Sequence, residues 1–378
     1  MRELRTGHRA RRPGILPPIC LAIAGLLMPA PGAVSASAEV AGVTALRVMT
    51  FNILHSSIRN PVGAWKDRRA PVVRTLRAAH ADIVCLQEVS ATQIADLASD
   101  LPEYLVLPGA PSGRSAYAFW ALMFSAGLTA LWLALVFRAR RVRARGRLPA
   151  FARSSLLTMA MLAVASVGLS RFILGDFLER GEHCPILLLR ERVTATERGS
   201  YWLSPHPDRA GSTLPGSPTP HVVTWARIED RHGGPLCVVY NTHLGLLPWT
   251  AGRTARDLLA RLDHDWDGAT QILAGDFNAT PRSALLRALL ASRAGPAPAF
   301  RDVWTEARHH SGTASTFRLG SGAAGLRIDY ILVRPSPGVA SATTTTSRDV
   351  HPSASDHRSL LAELLLAGPG VAGPRVAR

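Results

Sequence analysis

Short apolar runs that stop at one polar residue recur along this chain. Residues 46–52 (L-R-V-M-T-F-N) end in the amide Asn52, residues 82–88 (D-I-V-C-L-Q-E) in the carboxylate Glu88, and residues 236–243 (L-C-V-V-Y-N-T-H) in His243. Residues 272–280 (I-L-A-G-D-F-N-A-T) run into a glycine and then place Asp276 and Asn278 two apart. On an extended backbone those two side chains project from one face. A further apolar run, 328–333, contains Asp329, and Ser355-Asp356-His357 precedes the run 360–366. Runs of this length and content predict strands. Between them the spacing turns helical: Val72, Val73, Leu76 and Ala79 share one face over 68–80, and Ala255, Leu258, Leu259 and Leu262 share one over 254–262.

Buried strands with polar tips on one edge build a site by convergence. The Asp276/Asn278 pair suits a metal-dependent phosphate site, since a carboxylate orients a water and an amide donates to developing negative charge. Each tip alone has an ordinary explanation as a turn residue, a strand-end histidine or an edge ion pair. Five tips of this chemistry in one chain are not explained that way.

Two regions break the strand pattern. Residues 1–38 have a basic start, a short apolar stretch at 19–28 and the small-residue exit Ala36-Ser37-Ala38, the form of a secretory signal. Residues 116–137 carry no charge, and as a helix they would reach about 33 Å, enough to cross a bilayer. An arginine-rich stretch, 138–147, follows, then a second apolar run at 154–174. This order predicts a two-helix transmembrane hairpin over 116–174 with its basic loop in the cytoplasm. The flanking segments 39–115 and 175–368, with a tail at 369–378, then form one extracytoplasmic catalytic domain at the cell membrane, split by the hairpin.

Charge and cysteine content follow from that division. The 378-residue chain has a net charge of +16, but 1–38 contribute +4 and 116–174 contribute +8, leaving +4 for everything else. The basicity therefore flanks apolar segments and is weak evidence for a nucleic-acid partner. Cys20 lies in the leader; Cys85, Cys184 and Cys237 are too scattered for a disulfide framework or a C-x-x-C metal site, and Cys85 and Cys237 sit in apolar runs as core residues. His206 and His221 fall in or beside a proline-rich stretch, 204–220, and read as exposed loop residues.

The motifs T-F-N (50–52), L-Q-E-V (86–89), N-T-H-L (241–244), G-D-F-N (275–278), R-I-D-Y-I (327–331) and S-D-H (355–357) resemble, in order, those of the endonuclease/exonuclease/phosphatase superfamily. The stretches G-E-H-C-P-I (181–186) and Y-W-L-S (201–204) are similar to a bacterial branch of it. The resemblance implies an α/β fold, a four-layer α-β-β-α sandwich of two packed mixed sheets, and in-line hydrolysis of a phosphoester. It implies Glu88 as the main Mg²⁺ ligand (Mn²⁺ as the alternative ion) with Asn52 beside it and Asp356 assisting. His357 becomes the general base or a phosphate contact oriented by Asp329, and His243 its partner histidine oriented by Glu182. Asp276 would hold the attacking water or a second metal, and Asn278 would bind the transition-state oxygen. The carboxylate that DNA-repair members place just after T-F-N is missing, since Ile53-Leu54 follow, and so is the P-A-W-x-D-R signature of inositol-phosphate phosphatases. Nucleic acid, phospholipid and small phosphate esters all remain as substrate classes. The reading from another class is a non-catalytic membrane-anchored scaffold that keeps the fold.

Overall fold

Alternation along each strand sorts its side chains between two faces, and the apolar side of every central strand is filled twice over. The computed structural model describes residues 43–56, 63–113, 181–245, 247–265, 267–291, 297–318, 325–334, 341–346 and 354–367, all within the unit Glu39–Arg378. The strands are β1 (Val43–Asn52), β2 (Ile83–Gln87), β3 (Tyr104–Leu107), β4 (Ile186–Leu189), β5 (Val193–Trp202), β6 (Val222–Asp230), β7 (Pro235–His243), β8 (Gln271–Asp276), β9 (Arg301–Asp302), β10 (His310–Ser311), β11 (Phe317–Arg318), β12 (Gly325–Leu326), β13 (Asp329–Arg334), β14 (Ser341–Thr346) and β15 (Leu360–Ala367). The helices are α1 (Trp65–Ala79), α2 (Ala91–Asp100), α3 (Ala251–His264), α4 (Ala284–Leu290) and α5 (Val303–Glu306).

Seven strands form one sheet in the order β10-β14-β15-β1-β2-β4-β3, and six form a second in the order β5-β6-β7-β8-β13-β9. Both are mixed: β1 runs parallel to β2 and antiparallel to β15, and β7 runs parallel to β8, which is antiparallel to β13. Leu46, Val48, Ile83 and Cys85 of the first sheet share a buried cluster with Cys237, Val239, Ile272, Ala274 and Ile331 of the second, so the sheets pack face to face. The opposite faces take the helices. Met49, Phe51, Val84 and Leu86 meet Val72, Leu76 and Leu97 of α1 and α2. Val238, Tyr240, Leu273 and Leu332 meet Leu258, Leu262 and Leu286 of α3 and α4. The result is the α-β-β-α sandwich that the motifs imply. Each such aliphatic side chain contributes roughly 1.5–3 kcal/mol on burial, and this apolar drive holds the strand tips together against the repulsion of the carboxylates they carry.

The predicted strands and the helices predicted at 68–80 and 254–262 are present with ends shifted by a few residues. Cys85, Cys184 and Cys237 are free and buried. The leader at 1–38, the whole insert at 116–174 and the tail lie outside the described residues. Among the described residues, no helix is long and apolar enough to cross a membrane. The chain before and after the insert belongs to one sheet, because β3 pairs with β4 from Tyr104↔Leu189 to Leu107↔Ile186. The described residues nearest the insert on either side also meet: a Cβ added at Gly181 would come within 2.5 Å of the Gly113 backbone nitrogen. Ser112 N–H donates to Glu182 O at 2.7 Å, and Glu182 N–H donates to Ser112 Oγ at 3.0 Å. The insert therefore leaves and rejoins the domain at one point.

Candidate active site

Carrying the inner-face alternation to the strand ends turns apolar positions into polar ones. Leu46 and Val48 are followed on that face by Thr50 and Asn52; Ile83 and Cys85 by Gln87; Val239 by Asn241 and His243; Ala274 by Asp276; and Asp329 precedes Ile331. Strand register then aligns the tips, pairing Asn52 with Gln87, His243 with Asp276, and Asp276 with Asp329. The outermost row is the candidate active site. The row beneath it, Thr50, Gln87 and Asn241, is a buried polar layer that the apolar runs concealed. Gln87 Nε2 donates to Asn241 Oδ1 at 2.7 Å, and Asn241 Nδ2 donates to the carbonyls of Leu86 and Pro185, both at 2.8 Å. This layer links the two sheets directly under the site.

Asp276 is the hub. Its Oδ1 accepts from the Asn278 N–H at 2.9 Å, and its Oδ2 accepts from Asn52 Nδ2 at 3.0 Å. The same Oδ2 lies 3.6 Å from His243 Nε2 and 3.6 Å from His357 Nε2. Each histidine is braced behind by a carboxylate: His243 Nδ1 to Glu182 Oε1 at 2.7 Å, and His357 Nδ1 to Asp329 Oδ2 at 2.8 Å. Two His–carboxylate pairs thus face one aspartate oxygen. Asn52 Nδ2 also donates to Glu88 Oε1 at 2.9 Å, and the Asn52 oxygen is taken by the Leu54 N–H at 3.0 Å. Asn52 lies beside Glu88 as expected, but it bridges two carboxylates through nitrogen rather than offering an oxygen to a metal. Asn278 Nδ2 donates to the Leu244 carbonyl at 2.9 Å and stands 2.9 Å from His243 Nε2. Asp356 is half-buried next to Ser355, whose hydroxyl donates to the Asn52 carbonyl at 2.7 Å and fixes the S-D-H loop on β1. All nine residues singled out by the motifs therefore gather at this end of the sandwich.

The backbone is strained where the site demands it. Leu54 (φ 61°), Glu88 (φ 57°) and Asn278 (φ 48°) occupy the left-handed region; the only other described non-glycine residue there is His80 at the end of α1. Such conformations cost on the order of 1–3 kcal/mol each and turn these side chains out of the strand line. Gly275 has φ 148°, and any Cβ there would collide with the Thr242 carbonyl of the neighbouring strand. This is why a glycine must precede Asp276.

Burial and crowding set the charges. Burial, reinforced by Glu182 and Asp356, raises the Glu88 carboxyl, and burial with Asp329 raises Asp276. Burial lowers His357, but Asp329 and Asp276 outweigh it and push it up to about 10. Burial also opposes protonation of His243, and Glu182 and Asp276 override it to carry the pKa well above the ordinary histidine value. Protonated His243 would need the Asn278 amide to turn its oxygen toward the ring, so the two groups are coupled. Among the described residues, buried Glu182 Oε2 and Asp329 Oδ1 find no hydrogen-bond partner.

The His357 shift has a stability consequence. Its folded-state pKa lies above the ordinary value near 6.5, so its contribution is complete below about pH 6.5 and is lost as pH rises toward 10. In metal-free protein the urea midpoint is expected to fall between pH 7 and 9.5, and less steeply in His357→Asn. Equal slopes in the two proteins would refute the assignment.

Arg68, inside α1, is fully buried and was not marked by any motif. Its guanidinium donates to the carbonyls of Gly63, Ile53, Leu54 and Ala354, tying the loop after Asn52 to the loop before Ser355-Asp356-His357. Arg68→Met should cost on the order of 3 kcal/mol, because buried carbonyls lose their donors. A change below about 1 kcal/mol in denaturant unfolding would contradict this role. His221 also differs from the sequence expectation. It is buried, not exposed, because the 204–220 stretch folds back over the end of β7 and Nδ1–H donates to the His243 carbonyl at 3.1 Å. Burial depresses it to about 4, so it stays neutral.

Oxygen-rich tips crowded enough to raise two carboxyls suit a hard divalent cation. Asp276, Asp329 and His357 also present ligand atoms within 4.8 Å of one another. Two packed mixed sheets carry a carboxylate, amide and histidine cluster across their joint edge, the layout of a layered α/β domain with its site at the strand ends. A profile of the Endonuclease/Exonuclease/phosphatase family matches residues 49–357, and the chain belongs to that family of phosphoester hydrolases. Similar solved structures include a Bacteroides vulgatus endonuclease/exonuclease/phosphatase (TM-score 0.62, 20% identity, covering 85% of this chain and 99% of that one). A Bacteroides thetaiotaomicron mannosyl-6-phosphatase gives TM-score 0.55 at 18% identity, covering 84% of this chain and 99% of that one. TDP2 of D. rerio in complex with a single-strand DNA product gives TM-score 0.52 at 16% identity, covering 85% and 99%. At these identities the likeness concerns the fold. No curated protein matches the chain.

Proposed function

We propose that this protein is a divalent-metal-dependent hydrolase of phosphodiesters, with Asp276 and His357 at its centre. The observation that supports this reading best is the pair of braced histidines meeting at Asp276 Oδ2. Glu88, with Asp276 and Asp356 near it, would hold Mg²⁺ (or Mn²⁺), with Asn52 bracing Glu88 and Asp276 through its nitrogen. The ion would supply charge neutralisation at a phosphoryl oxygen. Asp276 orients the attacking water and takes its proton as the new P–O bond forms. His357, kept protonated by Asp329, holds a phosphoryl oxygen and gives its Nε2 proton to the leaving oxygen as the old P–O bond breaks. It acts here as contact and acid, not base. Asn278 and His243 flank the developing negative charge. The apolar runs in 116–174 are read as a membrane tether, with the catalytic domain on the extracytoplasmic side.

A chromogenic diester such as bis(p-nitrophenyl) phosphate tests the reading. Turnover should fall to background in EDTA and return with excess Mg²⁺ or Mn²⁺. Metal-independent turnover would remove the ion from the scheme, and no turnover by folded protein would favour the scaffold alternative.

A further inference from the structure

Three features of the catalytic end point toward a bilayer. The first is where the insert is rooted. Gly113 and Gly181 meet, and Glu182, the next residue, braces His243 at 2.7 Å. The insert's roots therefore lie beside the catalytic histidine and not on a remote surface.

The second is the length of the leash. The first uncharged run begins at Ala116, three residues after Gly113. Fully extended, that leash spans at most about 11 Å. The second run ends at Leu174, seven residues before Gly181, a reach of at most about 25 Å. If the runs of 116–174 cross a bilayer, the centre is held within a short distance of its surface, and a bulky polymer has little room to enter between them.

The third is the rim. Trp249 and Leu326 are the large hydrophobic residues exposed among the described residues, at 69% and 40%. Trp249 sits in the turn between β7, which carries His243, and α3. Leu326 lies on β12, opposite Phe317, whose backbone bridges to His357. Single exposed apolar side chains are ordinary; these two stand in the connection that leaves the His243 strand and on the strand paired with Phe317 beside His357. The modest charge of the catalytic portion adds no pull toward a polyanion.

We infer that the mouth of the active site docks on the bilayer that anchors the chain, and that its substrate is a phosphoester carried by a membrane lipid. The inference rests on the phosphodiesterase reading and on the tether. Hydrolysis then balances simply: water gives hydroxyl to phosphorus and a proton to the leaving oxygen, with the lipid anchor remaining in the membrane.

Two matched probes test it on the full chain in phosphatidylcholine vesicles: p-nitrophenyl methyl phosphate in solution, and p-nitrophenyl hexadecyl phosphate in the bilayer. The expected kcat/KM for the vesicle-borne ester is at least tenfold higher. Trp249→Ser with Leu326→Ser should remove most of that advantage while leaving the soluble ester within twofold. A Gly/Ser spacer before Ser115, which lengthens the tighter leash, should act the same way. Equal rates on both probes, an advantage untouched by these changes, or faster turnover of single-stranded DNA than of the vesicle-borne ester would overturn the inference and leave the phosphodiesterase reading intact. Hydrolysis of neither ester nor DNA by folded protein would end that reading first.

Discussion

Asp276→Ala is expected to lower kcat by at least about 10³-fold while leaving the protein folded. The size follows from how much converges on this one side chain. Its Oδ2 accepts from Asn52 and faces the Nε2 atoms of both His243 and His357, and its Oδ1 takes the Asn278 N–H. Removing the carboxylate would delete the proposed water-orienting group and free Asn278 from its left-handed position, so two functions should fail together. Folding should survive because the apolar layers on either side of the sheets are untouched. Removing one of several crowded buried carboxylates also relieves like-charge repulsion. A variant retaining more than a tenth of wild-type turnover would show that Asp276 is structural. Loss of cooperative unfolding would show that the hub also carries the fold.

His357→Ala should lower kcat by about 10²–10⁴-fold, the range for a positioned proton donor. The companion substitution Asp329→Asn separates charge from geometry. The amide can still accept from His357 Nδ1, but the raising effect of the carboxylate is gone, so the His357 pKa drops from about 10 toward the ordinary value. With the protonated form active, as proposed, activity should be lost as pH rises through that pKa. The alkaline limb of the pH–rate profile should therefore move to lower pH in Asp329→Asn, with a smaller loss at pH 6 than at pH 8. An alkaline limb that stays in place would assign it to another group, and a limb on the acid side only would restore His357 as the base.

Much of this site was legible before any coordinates. The G-D-F-N stretch announced its geometry because a two-residue spacing on a strand has one outcome, and the apolar runs ending at Asn52, Glu88 and His243 marked their own boundaries. Other features were not legible for physical reasons. The strand β5 mixes threonine, glutamate and arginine with few apolar residues, since its middle is solvent-exposed, and in β6 Thr224, Arg227 and Glu229 interrupt the apolar run. The helix α2 buries only Gln93 and Leu97, and its one local signal is the S-x-x-Q spacing by which Ser90 and Gln93 form a reciprocal cap. Arg68 looked like one arginine among many; only burial against four backbone carbonyls distinguishes it. Gln87 and Asn241 lay inside motifs already noticed, but a contact across two sheets and 154 residues of sequence has no local signature.

The chain by itself determined that the segments carrying the site are strands, which residues end them and that those ends share a chemistry, because side-chain period and apolar content are local properties of the backbone. Only the tertiary structure decided that the two sheets face each other with their polar ends together. It also decided that Asn52 turns its nitrogen to the carboxylates, that His221 is buried, and that the insert is rooted beside His243. Those outcomes depend on register, packing and desolvation among residues far apart in the chain, and each is settled by which partners remain once water has been excluded.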